Sequence, residues 1–206
     1  MSSKRGPLSL SEISFYVTRA AVGVGVPWGL AEDLARTAVY IARGGVDPSP
    51  LIVDALSRLD SQTSQSQLVF EDHGDSTELT TEGSGMLSVI FAAPAARDWM
   101  IEQHNSGKCD LSVTQLDVPD LAVSIVRALT PGTRRWSVGK SADDSIKVSL
   151  SKEQGADVSN ITGHSGGALV DSSAWCIIQT YFAKCLVAST TESRLGGAGA
   201  GVNDND

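Results

Sequence analysis

Leu10, Ile13, Val17, Ala20, Ala21 and Val24 recur at steps of three and four residues, a spacing that puts them on one face of a helix. Ser9 or Ser11 supplies its N-cap. After the break Gly23-Val-Gly-Val-Pro27 the same period resumes. A second helix is predicted from near Trp28, with Leu30, Leu34, Ala38 and Ile41 on one face, and Gly44-Gly45 stops it. A third comes next, with Ser49 as cap, Pro50 at the first helical position, and Leu51, Ala55, Leu56 and Leu59 facing inward. Residues 1–60 therefore read as a helical subdomain that must bury three apolar stripes.

The pattern changes after a polar run from Asp60 to Ser66, which reads as a linker. Gln67 to Glu71 and Leu111 to Leu116 have the length and apolar content of strands. Ile146, Val148 and Leu150 alternate with Lys147 and Ser149, as in a half-buried antiparallel strand, and Arg134 to Val138 offers a hairpin partner. Two helices interrupt the strands, Pro94 to Gln103 and Pro119 to Leu129. Asp171-Ser-Ser173 then caps a last helix in which Trp175, Ile178 and Phe182 share a face. Strands and helices do not alternate regularly, so the expected class is α+β: an N-terminal helical layer, then a mixed and mainly antiparallel sheet with helices, a C-terminal helix and a glycine-rich tail. The expected division is residues 1–60, 67–190 and 191–206.

Composition narrows the partners. The chain has 206 residues, enough to bury a sizeable core without a disulfide or a metal. Its formal charge of -8 argues against a nucleic-acid surface, and Lys4-Arg5 and Arg134-Arg135 are its densest basic spots. The amphipathic N-terminal segment resembles neither a secretory signal nor a membrane span, so a cytoplasmic location is expected. Cys109, Cys176 and Cys185 show no metal-ligand spacing with His73, His104 or His164. They read as reduced thiols, at least two of them packed in the interior.

Gly163-His-Ser-Gly-Gly167 matches the G-x-S-x-G nucleophile elbow, and with Ala168-Leu-Val170 it is similar to the serine-bearing stretch of trypsin-like proteases. An α/β-hydrolase needs a histidine after the serine, and none follows Ser165. The order histidine, aspartate, serine is available through His73 or His104, Asp110 and Ser165. That fold, however, needs two antiparallel barrels, whereas the first third here is helical and the residues after Ser165 read as entering a helix. The preferred reading of the run is a glycine-rich turn ahead of a helix cap.

Other residues could bind ligands. Glu71, Asp72, His73 and Asp75, or Asp204 and Asp206, carry the donor types of a divalent-metal site, but short acidic loops and tails are usually just solvated, so neither a metal nor a cofactor is expected. Trp28, near Glu32, reads as a core or interface anchor before a pocket wall. In the tail, the Arg194 guanidinium could fork onto a carboxylate or phosphate while the backbone N–H groups of Gly196, Gly197 and Gly199 approach it, which makes these four the candidate ligand-binding residues.

Leu8-Ser-Leu-Ser-Glu-Ile13, Arg19-Ala-Ala-Val-Gly-Val-Gly-Val-Pro-Trp-Gly-Leu-Ala-Glu-Asp33 and Ser193-Arg-Leu-Gly-Gly-Ala-Gly-Ala-Gly-Val-Asn-Asp-Asn-Asp206 resemble the two ends of a family of bacterial proteins characterised only as a domain of unknown function. The resemblance implies one family-wide chain whose tail is part of its character. It brings no activity and no catalytic residues. The expected role is a cytoplasmic binding or accessory subunit of a homo-oligomer, or of a complex with another protein. The alternatives are a small-molecule enzyme with an anion site at Arg194 and the tail, and a serine hydrolase using Ser165.

Overall fold

The computed structural model describes residues 5–62, 66–74, 76–82, 85–103, 110–130, 135–140, 145–151 and 167–186. Strand β1 (Arg5–Leu8) leads into helix α1 (Leu10–Gly23), which Ser9 starts with a reciprocal cap. The Glu12 N–H donates to Ser9 Oγ at 3.2 Å and the Ser9 N–H donates to Glu12 Oε2 at 2.8 Å, so two otherwise orphaned donors are satisfied by one residue pair. These hydrogen bonds from Ser9 hold the Glu12 carboxyl below its usual range. The buried face is Ile13, Val17, Thr18, Ala20 and Ala21, with Leu10 and Val24 half-buried at its two ends.

Helix α2 (Trp28–Arg43) buries Ala31, Leu34, Ala35, Thr37, Ala38, Ile41 and Ala42, and the small residues in that set let it lie close against α1. It ends at Gly44, and Gly45 takes a φ of +76° as the glycine stop requires. Helix α3 (Ser49–Ser61) differs from expectation at its cap. Asp47 is the acceptor: its Oδ1 takes the Ser49 N–H at 2.9 Å and the Ser49 hydroxyl at 2.7 Å. Its Oδ2 takes the Asp171 N–H at 2.7 Å, so one carboxylate ties the start of α3 to a distant strand.

A five-stranded sheet comes next. Strands β2 (Leu68–Asp72) and β3 (Thr77–Thr81) form an antiparallel hairpin, and β3 runs parallel to β4 (Asp110–Val113). The crossover between β3 and β4 is α4 (Val89–Gln103), as a parallel pair demands. Past α5 (Pro119–Ala128), the hairpin of β5 (Arg135–Lys140) and β6 (Ile146–Ser151) completes the order β2-β3-β4-β6-β5. Ile146 and Val148 are buried and Lys147 is exposed, as their alternation requires. Strand β4 stops three residues short of Leu116 because Gln115 adopts a φ of +55°; Leu116 then makes a single parallel bridge to Leu87. Helix α4 begins five residues ahead of Pro94, which lies buried inside it.

The last elements return to the first. Strand β7 (Ala168–Asp171) pairs antiparallel with β1, from Arg5 opposite Asp171 to Leu8 opposite Ala168. The residues after Gly167 thus enter a strand before they enter helix α6 (Ser172–Cys185), where a direct helix was expected. Asp171 caps α6 by accepting the Ser173 and Ala174 N–H groups, each at 2.9 Å. Trp175, Ile178 and Tyr181 are buried against α1, with Phe182 half-buried beside them. One continuous core runs from Ile13 through Leu79, Leu111 and Val148 to Tyr181, so the helical layer and the sheet share it. Among the described residues no helix is long and apolar enough to cross a membrane.

Candidate functional site

Two places combine unusual exposure or burial with chemistry. The first is the α1–α6 edge. Phe15, Phe182, Tyr16 and Trp175 form a chain of rings whose successive centroids lie 5.1 to 5.9 Å apart, running from the buried Trp175 out to Phe15. Phe15 is 45% exposed, and the Arg19 guanidinium lies 3.8 Å from its ring centre. Leu186, the residue that follows α6, is 59% exposed. Helical spacing explains the arrangement: Phe15 and Arg19 are four residues apart on α1, while Ile13 and Val17 turn inward.

The second is the start of α4. Leu87 pairs with the segment after β4, donating its N–H to Gln115 O at 2.7 Å and accepting from the Asp117 N–H at 3.0 Å. Asp117 is only 6% exposed, and its Oδ1 accepts the Val89 N–H at 2.8 Å, capping α4 from 28 residues away. Burial pushes the Asp117 carboxyl above its ordinary range, against the backbone hydrogen bonds from Val89 and Val118 and the charge of Arg58. Five buried side-chain atoms among the described residues lack a hydrogen-bond partner: the hydroxyls of Thr77, Thr81 and Ser88, Arg97 Nε and Asp117 Oδ2. All five belong to the β3–α4–β4 crossover or to the turn after it. Unsatisfied buried groups are rare enough in proteins that this grouping needs a reason. Beside it, Gln62, Ser66, Leu68, Ser88 and Phe91 line a cleft of about 200 Å³.

The raised Asp117 pKa sets a sign for stability. The folded chain holds this proton more tightly than the unfolded chain does. The stabilisation is full below the ordinary Asp value of about 3.9 and is lost as pH rises through the raised one. Asp117→Asn keeps the acceptor for the Val89 N–H and removes the charge, so urea unfolding across pH is expected to show a flatter profile than wild type. Equal slopes would assign the pH dependence to other groups.

The residues singled out by sequence fare unevenly. Arg194, Gly196, Gly197 and Gly199 lie outside the described residues, as do Ser165, His104, His164, Cys109, Asp75, Asp204, Asp206, Lys4 and Arg134. His73 is exposed in the β2–β3 turn, with Nε2 3.9 Å from Glu71 Oε2 and 3.8 Å from Glu78 Oε2. The Asp72 carboxylate accepts the Gly74 N–H at 2.9 Å and so serves the turn itself. Among the described residues no three His, Cys, Asp or Glu side chains converge as a metal site would require. Trp28 stands exposed, its Nε1 donating to Glu32 Oε1 at 3.0 Å, and does not anchor the core of this chain. The cysteines correct the expectation of interior thiols: Cys176 is exposed and Cys185 half-buried, because Trp175, Ile178 and Tyr181 already occupy the inward face of α6.

Fold and surface together define an α+β chain with an aromatic edge on its first and last helices. Residues 8–70, spanning α1 to α3 and the start of β2, match the model of a family described as a protein of unknown function (DUF3726), in agreement with the resemblance at residues 8–13 and 19–33. No curated protein matches the chain.

Proposed function

We propose that this chain is a binding or accessory subunit that associates with a second copy of itself across the α1–α6 edge. The observation that carries the reading is the exposed Phe15 ring, overlaid by Arg19 and packed on the half-buried Phe182, with Leu186 exposed at the end of α6. Aromatic residues and arginine are the types enriched where protein surfaces meet. The ring chain is anchored at its inner end by the buried Trp175, so the surface is pre-formed and little ordering is needed on contact. Two antiparallel copies of one helix edge satisfy the self-complementarity of a two-fold contact. The exposed free thiol of Cys176 supports placing the subunit in the reducing cytoplasm.

Native mass spectrometry of the full chain at micromolar concentration tests the reading. The wild type is expected as a dimer, and Phe15→Glu and Leu186→Glu as folded monomers with unchanged far-UV circular dichroism. A monomeric wild type, or variants that still assemble, would overturn it.

A further inference from the structure

We infer that the cleft between the end of α3, β2 and the first turn of α4 binds a small neutral molecule that carries an amide or hydroxyl group on an apolar ring. Its lining divides into two chemistries. Leu68 and Phe91 offer apolar surface, and Gln62, Ser66 and Ser88 offer uncharged donors and acceptors.

Ser88 is the decisive residue. It precedes the first residue of α4, the position from which a serine hydroxyl normally accepts a backbone N–H of the first turn. Asp117 takes the Val89 N–H, while the Ser88 hydroxyl is buried without a partner among the described residues, on a residue only 8% exposed that lines the cleft. It keeps both a donor and an acceptor to offer. A second hydroxyl is held nearby. A Cβ on Gly85 would stand 2.6 Å from Ser66 Oγ and 3.9 Å from the unpartnered Thr81 Oγ1, so the absence of a side chain at residue 85 leaves the Ser66 hydroxyl its place.

Charge selects the ligand class. A helix start ordinarily favours anions. Here Asp117 already takes the Val89 N–H, and among the described residues no Lys or Arg lines the cleft, so an anion finds no counter-charge there. A cation finds no carboxylate among the described lining residues. Size limits it further: about 200 Å³ corresponds to roughly six or seven waters at about 30 Å³ each, the room of a single ring with one polar substituent.

Benzamide, benzoate and benzamidine share one ring and differ in charge, so they test the class directly. Each would be titrated into the full ¹⁵N-labelled chain, reading the backbone amides of Ser66, Leu68, Ser88 and Phe91. Benzamide is expected to give saturating shifts confined to these residues, with benzoate and benzamidine at least about tenfold weaker. Ser88→Ala removes none of the hydrogen bonds among the described side chains. It is expected to leave the unfolding midpoint in place and weaken benzamide by about three- to tenfold. Leu68→Trp fills the cleft and is expected to abolish the shifts. Equal binding of the three probes, benzamide shifts scattered over the surface, or full affinity in Ser88→Ala would each overturn the assignment.

Discussion

Gly23→Ala is expected to destabilise the fold by about 2–3 kcal/mol, although alanine is the better helix former by about 1 kcal/mol. Gly23 is the last residue of α1, and a Cβ there would stand 2.1 Å from the Tyr181 carbonyl oxygen and 3.2 Å from the Cys185 nitrogen. Both are backbone atoms of α6, which no rotamer change can move aside. The helices must part, and the contacts of Tyr16 with Trp175 and Phe182 loosen with them. Urea unfolding reads the loss as a lower midpoint at unchanged slope. A variant with the wild-type midpoint would show that α1 and α6 do not cross at this glycine.

Gly167→Ala is expected to cost about 3 kcal/mol through two independent penalties. Gly167 has a φ of +101°, a region that side chains strongly disfavour. A Cβ would also lie 2.3 Å from the Leu8 carbonyl oxygen, at the point where β7 begins its pairing with β1. Hydrogen exchange at the β1 and β7 amides should accelerate well beyond that of β6, and uniform exchange would contradict a local origin. The result bears on the run Gly163 to Gly167, whose last glycine has this architectural duty whatever Ser165 does.

Much of the helical layer was legible because its signals are local. The Ser9 cap, the glycines at 44 and 45, Pro119 and the alternation around Lys147 each act within a few residues. The elements that escaped depend on distant partners. The N-terminal cap of α4 is Asp117, so its true start before Pro94 could not be read from its own residues. Strand β3 has Leu79 as its one apolar side chain, and β1 and β7 are four residues each, short enough to be held only by one another. Of the two places described, Asp117 left a trace: an acid between Leu116 and Val118, directly ahead of a proline-started helix. Phe15 left none, since its exposure is set by where α6 comes to rest.

The pairing of β1 with β7 joins residues from opposite ends of the described chain. During synthesis, α1 emerges long before the helix that covers it, and at roughly 5–20 residues per second the wait is on the order of ten seconds. Throughout it Tyr16, Val17 and their neighbours stay partly uncovered, and loop closure must be met late. The nascent N-terminal helices therefore carry uncovered apolar surface until α6 arrives.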